Sequence, residues 1–146
     1  MRLAYLDQMS VSRILVPSGS EFESTVGYSR AVRVGPHMVV SGITGPGSNH
    51  LGDQTREALR RIANALSEVG ATLHHVVRTR IYVTDISRWR EVAAVHAEIF
   101  GEIRPAATMV EVAALIAPDL LVEIEADAYS FSDPPTGGKV PSAVGG

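Results

Sequence analysis

Apolar and polar positions along the chain change period several times, and each change marks an element. Residues 30–43 (RAVRVGPHMVVSGI) carry two apolar runs, around Val32/Val34 and around residues 38–40, on either side of Gly35-Pro36. β-Branched runs parted by a turn dipeptide predict a β-hairpin, and residues 11–16 predict a further short strand ahead of it. After a loop over 45–52, Ala58/Leu59, Ile62, Ala65/Leu66 and Val69 recur at helical spacing, with Arg56, Arg60, Arg61, Asn64 and Glu68 mostly on the other side. This is the pattern of an amphipathic helix over about 54–69. Asp53 is its expected N-cap and Gly70 its stop.

Period 2 returns at 76–84, where Val77, Thr79, Ile81 and Val83 are expected on one face and Arg78, Arg80 and Tyr82 on the other. Residues 87–100 read as a second amphipathic helix with Trp89, Val92, Val95 or His96, and Ile99 on one stripe, ended by Gly101. Strands are predicted over 106–112 and 120–129; in the second, Leu121, Glu123, Glu125 and Asp127 alternate with Leu120, Val122, Ile124, Ala126 and Ala128. The order is β-β-α-β-α-β-β, an α+β domain with two helices on one face of a mixed sheet. The opposite face has no element left to cover it, so self-association is expected.

Composition narrows the function. A chain of 146 residues is one domain's worth. The folded unit is expected over 10–131, between an N-terminal extension at 1–9 and a Pro/Gly/Ser-rich tail at 132–146 whose composition predicts disorder. With 13 basic against 16 acidic residues the formal charge is −3, which counts against a nucleic-acid partner. The absence of cysteine removes thiol nucleophiles, Cys-ligated zinc, Fe–S clusters and disulfides. Asp7 and Gln8 interrupt the N-terminal apolar run, and no stretch approaches the ~20 apolar residues of a membrane span. A cytoplasmic protein with no membrane partner is the expectation.

Few side-chain constellations suggest chemistry. His37, His50, His74, His75 and His96 include no HExxH spacing, and His74 and His75, adjacent on a strand, would point to opposite faces. No metal or cofactor is expected. Gly45-x-Gly47 lacks the third glycine and the lysine of a phosphate loop, and Ser41-Gly42 is not a GxSxG elbow. Glu123, Glu125 and Asp127 at period 2 say more. Like charges this close raise one another's pKa unless cations answer them. They form either a solvated face paired with Arg78 and Arg80, or a cleft in which one of them acts as general acid or base.

Several segments together resemble the Rid family, the YjgF-type proteins long labelled "endoribonuclease L-PSP". They are Gly27-Tyr28-Ser29-Arg30-Ala31-Val32, Val40-Ser41-Gly42, Val69-Gly70-Ala71, Val83-Thr84-Asp85, Arg104-Pro105-Ala106-Ala107-Thr108-Met109-Val110-Glu111-Val112 and Leu121-Val122-Glu123-Ile124-Glu125-Ala126. The resemblance implies a chorismate-mutase-like fold assembled as a homotrimeric barrel with clefts between subunits. It implies hydrolysis of reactive enamines and imines, such as 2-aminoacrylate, to a keto acid and ammonia without metal or cofactor. Carried over by position, the cleft glutamate is Glu123, the tyrosine Tyr28, and the water-holding backbone carbonyl that of Met109. Gly42, Ile43, Ala107 and Thr108 fall at substrate-binding positions.

Three positions depart from the family pattern. Ala107 stands where the family's arginine grips the substrate carboxylate, a charge-assisted contact worth roughly 1.5–3 kcal/mol. Arg104, three residues upstream, would face the other way on a strand. Ile43 replaces a glutamine, and Gly27 replaces the proline before the tyrosine. The chain is therefore expected to hydrolyse an enamine or imine other than 2-aminoacrylate. The alternative is a non-catalytic trimer that binds a metabolite or regulates a partner. The family's old ribonuclease and translation-inhibitor label fits the acidic balance poorly.

Overall fold

The alternating segments pair into one six-stranded sheet in a computed structural model of the chain, which describes residues 12–134. The elements in chain order are β1 (Arg13–Val16), α1 (Phe22–Val26), β2 (Ala31–Val34), β3 (His37–Thr44), α2 (Leu51–Glu68), β4 (Val76–Val83), α3 (Trp89–Phe100), β5 (Ala106–Glu111) and β6 (Val122–Tyr129). Across the sheet the order is β1-β2-β3-β6-β4-β5. Every pairing is antiparallel except β4 with β5, which α3 joins as a crossover. The expected α+β architecture is present, with α1 as an addition that the sequence pattern does not announce. The extension at 1–9 and the tail beyond 134 lie outside the described residues.

α2 buries Leu51, Ala58, Leu59, Ile62 and Leu66 against Met38, Val40, Ile43, Ile81 and Ile124 of the sheet. Each of the Leu, Ile, Val and Met side chains contributes about 1.5–3 kcal/mol on leaving water. The helix starts at Leu51 rather than at 54, and Asp53 is not its cap. Ser48 organises the entry instead: its hydroxyl accepts from the His50 amide (3.1 Å) and donates to Asp53 (2.9 Å). Asp53 then sits in the first turn, where the helix dipole favours a carboxylate. At the other end Gly70 takes φ +80°, and the Gly70 and Ala71 amides bond the Ser67 and Leu66 carbonyls at 3.1 and 2.9 Å. These are the paired closing bonds of a Schellman exit.

Three further expectations are corrected. In β4 the buried residues are Val76, Thr79, Ile81 and Val83, whereas Val77 is 46% exposed. A register shift between Val76 and Arg78 inserts a residue and reverses the alternation. α3 begins at Trp89 after a 3-10 turn and leaves Trp89 outside, 42% exposed beneath Arg90; its buried side chains are Val92, Val95 and Phe100. α3 does end at Phe100 with Gly101 as its C-cap, at φ −56°, and the left-handed residue of the turn that follows is Arg104 (φ +53°). His74 and His75 occupy a 3-10 turn, not a strand, and the His75 ring nitrogen accepts from the Thr72 amide at 2.9 Å.

Two buried polar side chains tie the layers together. Gln54 donates to the Ser48 and Asp119 carbonyls (2.8 and 2.9 Å) and accepts from the Leu121 amide (2.8 Å), fixing the approach to β6. Arg33, 2% exposed, is caged by the carbonyls of Gly35, Val69, Ser130 and Ser132. It joins the end of α2 to the segment after β6. No helix among the described residues is long and apolar enough to cross a membrane. Replacing Arg33 with Met strands several carbonyls at about 1–3 kcal/mol each, so thermal denaturation of R33M is expected to give a Tm lower by roughly 10 °C or more. A Tm within about 2 °C of the native value would contradict the clasp.

Candidate functional site

β3 and β6 do not pair in unbroken register. Val40 faces Ala126 and Ile43 faces Ile124, so Ser41 and Gly42 together oppose the single residue Glu125. The bulge turns both Val40 and Ile43, three residues apart, into the core at 3% and 2% exposure. It also opens the other side of the sheet for Glu123. A Cβ placed on Gly42 would stand 2.9 Å from both Cδ and Oε2 of Glu123, so the carboxylate lies in the space a side chain would fill. Gly42 is needed here for close approach, not for an unusual φ.

Tyr28 reaches the same place by a local device. Glu23 accepts from both the amide and the hydroxyl of Ser18 (3.1 and 2.9 Å), which starts α1. Gly27 ends it with φ +78°, its amide bonding the Glu23 carbonyl at 2.8 Å. Proline, fixed near φ −65°, cannot take that conformation. A proline at position 27 is therefore incompatible with this approach to Tyr28. The Ser18 and then the Ser20 hydroxyl lower the pKa of the Tyr28 phenol.

Glu123, Tyr28 and Gly42 line one open cavity of about 520 Å³. Ile43 touches its wall but belongs to the core, so the apolar rim is supplied by Phe22, Val26 and Ile116 instead, exposed by 42%, 68% and 70%. Arg30 and Arg61 stand on the same wall. Burial raises the Glu123 pKa above the usual carboxylate value, Glu125 pushes it further the same way, and Arg30 opposes them. Of the three carboxylates on β6, Glu125 and Asp127 are answered by Arg80 at 3.4 and 3.5 Å, and Glu125 also accepts from the Tyr82 hydroxyl at 2.9 Å. Arg78, the other expected partner, enters no ion pair among the described residues. Glu123 is the member of the row left facing the cavity. A carboxylate that retains its proton to higher pH than usual, in a cavity that also holds a phenol, can relay protons to and from a bound molecule.

Ala107, Thr108 and Met109 are not in this cavity within one chain. They lie on β5, in register with Thr79, Arg80 and Ile81, so β4 stands between them and Glu123's strand. Ala107 and Thr108 are exposed, and Met109 is packed partly into the core. Arg104 is no substitute for the missing guanidinium: its Nε donates to the Gly101 carbonyl (2.9 Å) in the turn before β5. His96 has a structural setting, its Nε2 2.9 Å from the Thr79 hydroxyl and its ring 4.7 Å from that of Phe100. Among the described residues no three His, Asp or Glu side chains converge as a metal-binding group. Arg30 and the serines of the α1 entry escape sequence reasoning; the only trace of α1 is the Ser18/Glu23 pair ahead of Gly27.

Comparison with known proteins gives this arrangement a setting. The family model described as endoribonuclease L-PSP matches residues 18–130. The 3-aminoacrylate deaminase RutC of Acinetobacter baylyi is 34% identical over 123 residues, covering 80% of this chain and 96% of that protein. The crystal structure of a YjgF/YER057c/UK114 family member from Mycobacterium tuberculosis is 70% identical with a TM-score of 0.79, covering 82% of this chain and 100% of that one. The YjgF gene product of E. coli, 26% identical, superposes with a TM-score of 0.67 over 78% of this chain and 92% of its own. The fold is therefore the chorismate-mutase-like α+β fold of these proteins. By the family match and the extent of these similarities, the chain belongs to the endoribonuclease L-PSP family, the YjgF/RutC group.

Proposed function

We propose that the protein hydrolyses an enamine or imine other than 2-aminoacrylate, with Glu123 as general acid/base, in a cleft completed by a second copy of the chain. The observation that carries this reading is the Glu123 carboxylate seated over Gly42 in a cavity shared with Tyr28. The deaminase name carried by the RutC relative supports it. In the reaction water adds to the carbon of the C=N bond. Glu123 takes a proton from that water and delivers it to nitrogen. Glu123 then moves the proton of the new hydroxyl to the same nitrogen as the C–N bond breaks, leaving a carbonyl and ammonia. An enamine first gains a proton on carbon to become the imine.

The position of β5 supports such an assembly. The outer edge of β5 pairs with no strand among the described residues, and Ala107, Thr108 and the Met109 carbonyl are separated from their own chain's Glu123 by β4. In a homotrimer a neighbour's β5 supplies them, with the Met109 carbonyl holding the water. Val39, Val110 and Tyr129, exposed by 38–42%, would be covered at the same time. Ala107 also supports a second reading, a trimer that binds a metabolite without turning it over, because the contact that orients a small substrate is missing there.

Glu123→Gln is expected to lower kcat/KM on an accepted imine by about 100-fold or more while light scattering still reports three chain masses; unchanged turnover would remove Glu123 from the reaction. Because its pKa is raised, the acidic limb of the native pH profile is expected above the usual carboxylate range, and to vanish in the same variant. Gly42→Ala, which pushes the carboxylate aside, is expected to cost roughly tenfold or more in kcat with little loss of stability. Wild type is expected to release little ammonia from freshly generated 2-aminoacrylate, and Ala107→Arg to restore part of that activity. A monomer at micromolar concentration would defeat the shared cleft.

A further inference from the structure

Arg30 is held more firmly than a surface arginine needs to be. Its amide bonds the Val16 carbonyl at 2.7 Å, and its carbonyl accepts from both the amide and the hydroxyl of Ser41 at 3.0 Å. Its Nη1 reaches the Ser41 hydroxyl (3.3 Å) and the Gly42 carbonyl (3.2 Å), the two residues of the bulge beneath Glu123. The guanidinium stands 6.0 Å from the centre of the Tyr28 ring. Among the described residues it forms no ion pair with any carboxylate. Arg61 on the same wall is already engaged, its Nε 3.0 Å from Glu57. A partly buried guanidinium, oriented through one nitrogen onto neutral acceptors and open to a cavity, keeps its remaining donors for an anion.

We infer that Arg30 anchors the anionic group of the ligand in the Glu123 cavity, supplying from this wall the cation that position 107 lacks. The substrate class is then still an anionic enamine or imine. Its charge lies on the β2–β3 side of the cavity, so its C=N bond is set relative to the anion otherwise than in 2-aminoacrylate. This rests on the deaminase reading for the reaction, but not for the binding of the anion. The bulge thereby serves both ends of the ligand: Gly42 makes room for the carboxylate that moves protons, and its carbonyl aims the guanidinium.

The test compares 2-oxobutanoate, a stable keto acid, with 2-butanone, its neutral counterpart, by NMR titration of the full chain at low and high salt. Wild type is expected to bind the keto acid roughly tenfold or more tightly, with the preference shrinking as salt rises. In Arg30→Gln, whose amide can still donate to the Gly42 carbonyl, the preference is expected to disappear with the melting temperature little changed. Arg30→Lys should keep part of it. A preference that survives in Arg30→Gln, or that wild type never shows, overturns the anchor. Preference that follows Arg30 in a protein turning over no imine removes the deaminase reading and leaves the anchor standing.

Discussion

The contact between a carboxylate and a glycine in a bulge organises this molecule. β6 alternates without interruption, burying Val122, Ile124, Ala126 and Ala128 and turning Glu123, Glu125 and Asp127 outward. Both strands beside it carry an inserted residue, between Val40 and Ile43 on β3 and between Val76 and Arg78 on β4. Inward residues three apart, Val40 with Ile43 and Val76 with Thr79, are possible only because of those insertions. The core is thereby satisfied on both sides of a regular strand, and the slack appears on the outer face, where Gly42 leaves its gap to Glu123.

How much of this could be read in advance depended on the range of the cause. The β6 alternation and the apolar stripe of α2 are properties of one segment, and both were legible in full. The bulges were not, because an extra residue in a period-2 run is indistinguishable from an imperfect run; this is why Val77 was expected inside. α1 is five residues long (FESTV) with no buried side chain, so it has no periodicity to see. The start of α2 turns on Ser48, which bonds the His50 amide and the Asp53 carboxylate from outside the helix, rather than on the nearer Asp53. Of the candidate site, Glu123, Tyr28 and Gly42 were reached through resemblance, and proximity in the fold brings them together. Arg30 was only a letter in a motif until its partners, eleven and twelve residues away, were in view.

The charged face of the sheet divides its labour by what each carboxylate touches. Glu125 and Asp127 share Arg80, and Glu125 also holds Tyr82, contacts that tie both carboxylates to β4 and order the sheet surface. Glu123, at the end of the same row, has burial in place of a partner. Identical chemistry at period 2 thus yields an ion-paired couple and one carboxylate left facing a cavity, and the difference lies in the neighbouring strand rather than in β6 itself.

The left-handed turn at Gly27 bears on how this cavity can drift in sequence. A proline there would be locked out of φ +78°, so it could enter only after α1 had unwound and Tyr28 had found another path. Conversely, while α1 is present, position 27 has little freedom, because residues with a Cβ adopt such a φ reluctantly. The N-terminal wall is therefore one mechanical unit, in which the Ser18–Glu23 bonds and the Gly27 and Tyr28 amides on the Glu23 carbonyl depend on one another. Relatives with proline at this position are expected to differ in the whole shape of that wall, and with it in the molecules they admit.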